Sequence, residues 1–156
     1  KHYELRDLEG ELISALTEGE FPCMEIKRID EASNALFYTA RSGSNPLNAH
    51  LHRVSLGGRG DKRLTREDWN HNPQVSPDGK WFITTFDAVD TPPTAVLYSI
   101  NGHRIATLAS SDLGEFRRRR LPMPELFTFK ADDGVTDLYG CCTSRPIFRP
   151  PANIRC

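Results

Sequence analysis

Adjacent cysteines are the residues of this sequence that most directly suggest metal or redox chemistry. Cys141 and Cys142 stand in the closing segment DLYGCCTSRPIFRPPANIRC, which ends at Cys156, whereas Cys23 lies alone in a strand-like pattern. Four cysteines could form two disulfides, but three of them lie in one irregular tail, so their number defines no redox compartment.

Three histidines are the next candidates for a metal site. His50 and His52 alternate with Leu51, so they would share one face of a strand, and His71 follows later in the chain. No cysteine or carboxylate completes a known ligand pattern with them. We therefore predict no metal ligand and expect solvated histidines on strands.

No serine of the sequence has the surroundings of a hydrolase nucleophile. Ser42 and Ser44 lie in RSGSNP and Ser76 lies in VSPDG, which are turn sequences without the glycine spacing of G-x-S-x-G. The sequence therefore predicts no catalytic residue, and no motif predicts a cofactor.

Three other groups of charged residues fit structural roles. The tripeptide Arg-Gly-Asp at 59–61, which integrins recognise, falls where a hairpin must turn. The four arginines at 117–120 could bind phosphate, but cations also complement the C-terminal end of a helix, and we expect a solvated helix end. The carboxylate pairs at 30–31 and 132–133 fall at predicted hairpin tips, where turn chemistry accounts for them.

The composition is that of an ordinary domain. Of the 156 residues, 38% are apolar and 26% are charged, with a net charge of -1. This balance argues against a nucleic-acid-binding protein and against a disordered chain. No apolar run approaches the roughly 20 residues that span a bilayer, and KHYELRDLEG does not have the pattern of a signal peptide. The first residue is not Met, so we expect the chain to begin inside a longer protein; no segment indicates a compartment.

A repeat of about 40–50 residues organises the elements that carry these side chains. The segments YELRDLEGELISALTEGEF, HLHRVSLGGRGDKRLTREDW and AVLYSINGHRIATLASSDL each contain two strand-like runs joined by a glycine turn. Leu16, Leu64 and Leu108 mark the repeat, at spacings of 48 and 44 residues. In the third turn, Asn101 and Gly102 predict a tight hairpin in which both residues have a positive φ. The period is typical of four-stranded propeller blades.

Two further pairs of strands are predicted between these hairpins. Ile26 and Ile29 precede a turn at 30–34, and a strand follows it. Val75 ends a strand before the turn sequence SPDG, and residues 81–86 form the next strand. Because β-branched and aromatic residues dominate these runs, we predict an all-β architecture.

One short helix is predicted, at 110–120, with Ser111 or Asp112 as its cap. The prolines of LPMPE then interrupt the chain. LFTFKADDGVTDLYG predicts a hairpin that does not match the repeat. We therefore place a domain boundary at 110–124.

The order of these segments resembles the dipeptidyl peptidase IV group of serine exopeptidases, in the prolyl oligopeptidase clan. The resemblance rests on LFYTARSGSNPLNAHLHRVSLGG, SPDGKWFITTFDAVDTPPTAVLYSINGHRIATL and PELFTFKADDGVTDLYG, and it covers roughly residues 1–140. SPDG occurs in many propellers, whereas VDTPP before VLYSING, followed by PELF and LYG, is much more specific.

The resemblance implies an eight-bladed propeller followed by an α/β-hydrolase domain that releases N-terminal dipeptides, usually with Pro or Ala in the second position. For this chain it implies the last two to three four-stranded β-propeller blades at 1–109 and a linker with a short helix at 110–124. The first β-hairpin of a truncated α/β-hydrolase domain would follow at 125–140, and an aberrant tail at 141–156.

The same resemblance implies that the catalytic residues lie outside this chain. The family's catalytic Ser, Asp and His and its oxyanion tyrosine follow the point where this chain stops, and its glutamate pair precedes Lys1. We therefore assign no catalytic, substrate-binding or metal residue and no cofactor. The partners implied for the full-length family protein are a peptide substrate, its own hydrolase domain and often a second subunit, with no nucleic acid.

The tail after Gly140 departs from the family pattern, in which Leu-Tyr-Gly is followed by Val-Leu-Tyr-Lys-Pro-Ser-Asp. Codons for those residues, read one base later, give Cys-Cys-Thr-Ser-Arg-Pro-Ile, which is the sequence of 141–147. Codons for the final Asn-Ile-Arg-Cys can likewise encode Tyr-Pro when they are read one base earlier. We therefore predict a one-base shift of the reading frame after Gly140; the alternative is a divergent tail with a genuine pair of thiols.

Three functions are compatible with these patterns. The chain is a piece of a dipeptidyl-peptidase-like serine exopeptidase that is inactive alone, a non-catalytic propeller module that binds a partner, or a truncated gene product without function. Repeat units bury their apolar faces against neighbours, so a piece of two to three blades leaves faces and sheet edges open. We therefore expect poor stability and aggregation in isolation.

Overall fold

The computed structural model describes residues 1–65 and 68–143. Within these ranges, twelve strands and one short helix follow one another along the chain. They are β1 (Glu4–Arg6), β2 (Leu12–Ala15), β3 (Cys23–Asp30), β4 (Ala35–Ala40), β5 (His50–Ser55), β6 (Lys62–Arg63), β7 (Asn70–Val75), β8 (Trp81–Ala88), β9 (Thr91–Ser99), β10 (Arg104–Ser110), α1 (Gly114–Arg118), β11 (Glu125–Lys130) and β12 (Asp137–Cys142). The all-β prediction is confirmed.

Two four-stranded sheets form the larger part of the fold. The middle sheet has the strand order β3-β4-β5-β6, and the last sheet has the order β7-β8-β9-β10. β1 and β2 form a two-stranded sheet, the first hairpin, and β11 and β12 form another, the terminal hairpin. Four strands in chain order are the arrangement of a propeller blade, so the predicted blades are confirmed.

The chain divides into two compact units. The first comprises Lys1–Asp87 and Pro93–Ser110, and it contains the first hairpin and nearly all of both four-stranded sheets. The second comprises Ala88–Pro92 and the residues from Ser111 onward, including α1 and the terminal hairpin.

One hairpin turn recurs three times in the first unit, at 7–10, 55–58 and 99–102. In each turn the amide of the final glycine donates to the carbonyl of the first residue, over 2.8–3.2 Å, and the amide of that first residue donates to the carbonyl after the glycine. Gly10, Gly58 and Gly102 have φ values of 90°, 72° and 85°. This is a three-residue loop with a glycine bulge. The expectation of a positive φ at Asn101 is wrong, because this longer loop needs only one left-handed residue.

The inner strands of the middle sheet, β4 and β5, are buried on both faces because a neighbour covers each one. All six residues of β4 are buried. Ala35 and Phe37 belong to an apolar cluster that includes residues of the last sheet. The intervening residues of β4 belong to a second cluster with the first hairpin; they are Leu36, Tyr38 and Ala40. The alternation along β4 therefore separates two cores rather than a core from solvent.

Helix α1 is shorter than predicted and lacks a side-chain cap. Its N-cap residue is Leu113, not Ser111 or Asp112, although the Asp112 carboxylate accepts a hydrogen bond from the Gly114 amide over 2.7 Å. The four arginines at 117–120 are exposed, and Glu115 forms ion pairs with two of them. The predicted solvated helix end is therefore confirmed. No helix in the described ranges has the length and hydropathy to cross a membrane.

Candidate functional site

Four polar side chains of the middle sheet form one hydrogen-bonded group, the Ser42–His52 network. Tyr38 in β4 and His52 in β5 are paired across the sheet. Asp61 lies in the connection from β5 to β6, and Ser42 lies two residues after the end of β4. Strand pairing and two loops therefore bring together residues that are up to 23 positions apart.

The hydrogen bonds of this network join serine, histidine and carboxylate in the same order as in a catalytic triad. Ser42 Oγ lies 2.7 Å from His52 Nε2, and His52 Nδ1 lies 3.2 Å from Asp61 Oδ2. The Tyr38 hydroxyl donates to Asp61 Oδ1 over 2.9 Å. A carboxylate beside Nδ1 favours the tautomer with hydrogen on that atom, which leaves Nε2 to accept from Ser42.

The electrostatics of the network hold Asp61 ionised. Burial opposes ionisation of the carboxyl, but the hydrogen bonds from His52 and Tyr38 outweigh it, and the pKa of Asp61 lies below its usual value. Burial and the Asp61 charge raise the pKa of the Tyr38 hydroxyl, so this hydroxyl stays protonated as a donor.

The burial of the network distinguishes it from a working nucleophile. Ser42 is 9% exposed and His52 only 4% exposed. The rings of Phe21 and Tyr38 lie against His52, with centroids at 5.5 and 5.2 Å. We therefore interpret the network as polar support that joins two strands and two loops inside the middle sheet.

The other two predicted strand histidines form a separate buried group. His50 and His71 are 0% and 2% exposed, and their ring centroids are 5.6 Å apart. His50 Nδ1 lies 3.2 Å from Thr65 Oγ1. Burial, assisted by the charge of Arg63, lowers the pKa of His50 to about 4, so this ring is neutral at pH 7.

The expectation of solvated histidines is therefore wrong for His50, His52 and His71. His50 and His52 lie in β5, whose two faces are both covered, and the ring of His71 in β7 lies against that of His50. Sequence alternation alone does not reveal such coverage. Within 1–65 and 68–143, no group of three or more His, Cys, Asp or Glu side chains is arranged to hold a metal ion.

The remaining charged candidates have the expected turn positions. The tripeptide at 59–61 lies in the connection between β5 and β6, and its Asp61 points into the network rather than to a partner. Asp133 Oδ1 accepts hydrogen bonds from the amides of Val135 and Thr136. Asp30 accepts one from the Ser33 hydroxyl over 2.5 Å. Turn chemistry at both carboxylate pairs is confirmed.

The cysteines of the described ranges are unbridged. Cys23 is buried, with its Sγ 3.4 Å from Thr17 Oγ1. Cys141 and Cys142 belong to β12 and continue its pairing with β11. Cys156 and most of the tail that the frame-shift prediction concerns, residues 144–156, lie outside the described residues.

Sequence reasoning missed the Ser42–His52 network because its members come from separate segments. The pairing of Tyr38 with His52 follows from the β4–β5 hairpin and could have been derived once the turn was placed. The positions of Ser42 and Asp61 depend on loop conformations, for which the sequence carries no comparable signal.

Comparison with known proteins adds two findings. The family model for the dipeptidyl peptidase IV (DPP IV) N-terminal region matches residues 1–93. The crystal structure of Porphyromonas gingivalis dipeptidyl peptidase 4 matches 88% of this chain with a TM-score of 0.72 and 21% identity. At this identity the match shows a shared fold. The chain spans only 20% of that structure's length.

Proposed function

The chain belongs to the family of dipeptidyl peptidase IV N-terminal regions, and from this membership we propose that it is a piece of the propeller domain of a DPP IV-like serine peptidase. The whole enzyme would release N-terminal dipeptides, with Pro or Ala in the second position. Its partners would be a peptide substrate, its own hydrolase domain and a second subunit. The chain itself would contribute blades and no catalytic group.

The stacked four-stranded sheets are the observation that carries this proposal. The family model matches all of the middle sheet and the last sheet as far as the start of β9, and each sheet ends in a hairpin with the same glycine turn. We assign residues 1–109 to propeller blades, 110–124 to a linker and 125–140 to the first hairpin of a hydrolase domain.

The surroundings of the serines support the proposal that the chain itself is not catalytic. The serine of the Ser42–His52 network has the acceptor that a nucleophile needs, but it is buried and its sequence is not a nucleophile elbow. We therefore expect the purified chain to be inactive as a peptidase.

A hydrolysis assay tests this expectation. The purified chain and a Ser42→Ala variant are incubated with a Gly-Pro chromogenic anilide, and release of the chromophore is followed. We expect no turnover from either protein, and equal residual rates would identify a host contaminant. Turnover by the chain that Ser42→Ala abolishes would contradict the proposal, since the activity would then reside in the Ser42–His52 network.

The nucleotide sequence tests the fragment and the frame shift together. We expect a second frame after the codon for Gly140 to encode a buried hydrolase strand, followed by a G-x-S-x-G segment. A second frame without these features would remove the frame-shift hypothesis. Family membership would stand, because it rests on residues 1–93.

A further inference from the structure

Two short segments join the middle sheet to the last sheet beside the buried histidines. One segment, residues 44–49, leads into β5, and the other, residues 68–71, enters β7; we call this pair the clasp. Four hydrogen bonds between described residues connect the segments, over 2.7–3.1 Å. They link Ser44, Asn48 and Ala49 to Asp68, Asn70 and His71. The clasp is therefore a polar junction beside the apolar cluster that the two sheets share.

The clasp has little apolar contact of its own. Among the apolar side chains of its two described segments, Ala49 alone is buried, whereas Leu47 is 43% exposed. Trp69 is half-buried and stacks on Phe86, with ring centroids 4.1 Å apart. Segments that are held mainly by hydrogen bonds near the surface open at a lower free energy than the core does. The clasp can therefore open while the apolar cluster stays packed.

The ring of His50 lies beside the clasp in surroundings that disfavour a charge. The ring is fully buried, and the ring of the clasp residue His71 lies 5.6 Å away between centroids. The Thr65 hydroxyl accepts from the Leu51 amide over 3.1 Å and can donate to His50 Nδ1, at 3.2 Å, only while that nitrogen is unprotonated. Within the described residues, His50 Nε2 has no hydrogen-bond partner. A protonated ring would therefore lose the donor from Thr65 and bury a charged N–H without an acceptor.

Most charged groups around His50 also oppose a positive charge on the ring. A Cβ atom added to Gly43 would lie 2.5 Å from Arg63 Nη1 and 3.6 Å from His50 Nε2, so the guanidinium and the ring meet around this glycine. Burial is the largest cause that lowers the pKa of His50, and cationic groups add to it. These groups are Arg63 in β6, His71 in β7 and His52 in β5. The Asp68 carboxylate, in the clasp, acts in the opposite direction.

We propose that the clasp is a pH-sensitive switch, in which protonation of His50 releases residues 68–71 from residues 44–49 while the two sheets stay packed. Release admits water to the ring, and water solvates the charge and accepts from its N–H groups. The charged ring is thus compatible with the open clasp and not with the closed one. This inference concerns the junction between the sheets and does not depend on the peptidase assignment.

The direction of the pH dependence follows from the two states of the ring. In the closed clasp the pKa of His50 is lowered from 6.5 to about 4, and in the open clasp the ring regains its ordinary value. Between these pH values, opening takes up a proton, so acid favours the open form. From pH 6 to pH 5, one such histidine raises the equilibrium constant for opening by roughly 5- to 10-fold.

Hydrogen exchange, followed residue by residue by NMR and corrected for the intrinsic rate at each pH, tests the switch. The reporter is the amide of His71, which donates to the Ala49 carbonyl in the closed clasp. The reference is the set of amides of β4, a strand that is paired on both sides. We expect the His71 amide to be less protected than those of β4, and its protection to fall by roughly 5- to 10-fold from pH 6 to pH 5.

Two substitutions identify the group that takes up the proton. His50→Asn removes the titrating ring and should remove most of this fall in protection. His103→Asn is the matched control, since His103 is an exposed histidine after the turn between β9 and β10, and it should keep the wild-type dependence.

Two results would overturn the proposal. Equal protection of the His71 amide and the β4 amides at every pH, in the wild type, would show that the clasp opens only when the whole unit unfolds. A fall in His50→Asn as large as in the wild type would show that another group takes up the proton. The first comparison needs no variant, so it stands even where His50→Asn does not fold.

Discussion

Replacing the turn glycines by alanine tests whether close backbone approach holds the sheets together. Gly58, Gly102 and Gly60 have similar φ values of 72°, 85° and 70°, so alanine carries a similar left-handed penalty at all three, about 1–2 kcal/mol. They differ in what a Cβ atom would meet. At Gly58 it would overlap the Ala15 carbonyl, at Gly102 it would lie 2.7 Å from the Leu64 carbonyl, and at Gly60 nothing lies within 4 Å.

The expected loss of stability follows this order. Carbon–oxygen contacts settle at about 3.3 Å or more, so the Gly102 turn must retreat by roughly 0.6 Å and the Gly58 turn by more. Forcing atoms into a packed contact costs about 1–3 kcal/mol. We therefore expect Gly60→Ala to lower the free energy of unfolding by about 1–2 kcal/mol, and Gly58→Ala by about 2–5 kcal/mol. Gly102→Ala should lie between them.

Thermal and urea denaturation measure this series. A difference of about 2 kcal/mol should separate the melting temperatures of Gly58→Ala and Gly60→Ala by roughly 4–8 °C in a chain of this size. The measurements are made at one protein concentration, because any association of the chain would otherwise shift the apparent stability. Equal losses at Gly58 and Gly60 would refute the reasoning, since the backbone contact would then contribute nothing beyond the φ penalty.

Three further predictions concern the polar side chains of the middle sheet. The pKa of His50 is lowered from 6.5 to about 4 on folding, so the stability from its neutral form is lost as pH falls from 6.5 toward 4. Urea titrations at pH 7 and 4.5 should show a smaller loss in His50→Asn than in the wild type. Tyr38→Phe removes a hydrogen-bond donor to the ionised Asp61. It should lower the free energy of unfolding by about 2 kcal/mol, measured by urea denaturation at pH 7. A fluorophosphonate probe should not label Ser42, because a buried hydroxyl is inaccessible, and mass spectrometry of the probed chain checks this.

The blade repeat was readable from the sequence because its signals are local. Glycine at a fixed place in each hairpin turn, with alternating residues on both sides, specifies a hairpin without reference to the rest of the chain. The strand pairs around SPDG and around residues 30–34 follow from the same kind of signal, and the structure confirms them. Only the turn type at Asn101 was misjudged, because a two-residue and a three-residue loop can share the sequence Asn-Gly.

The burial of the polar residues was not readable, because it depends on contacts between sheets. His50 and His52 alternate with Leu51 as solvent-facing residues would, yet the first hairpin and the last sheet bury both faces of β5. A propeller blade in the interior of a stack has no solvent face. Alternate residues of its strands therefore face one neighbouring sheet or the other. Polar residues at such positions need partners, which Asp61 and Thr65 supply.

The strand position of the adjacent cysteines decides against the metal chemistry that their sequence suggests. The backbone of β12 pairs Cys141 with Leu126 and Cys142 with Glu125, so the strand continues through both residues. Neighbours on a strand point to opposite faces, and accordingly Cys141 is exposed while Cys142 is half-buried. Two thiols on opposite faces of a hairpin cannot bind the same ion without breaking its pairing.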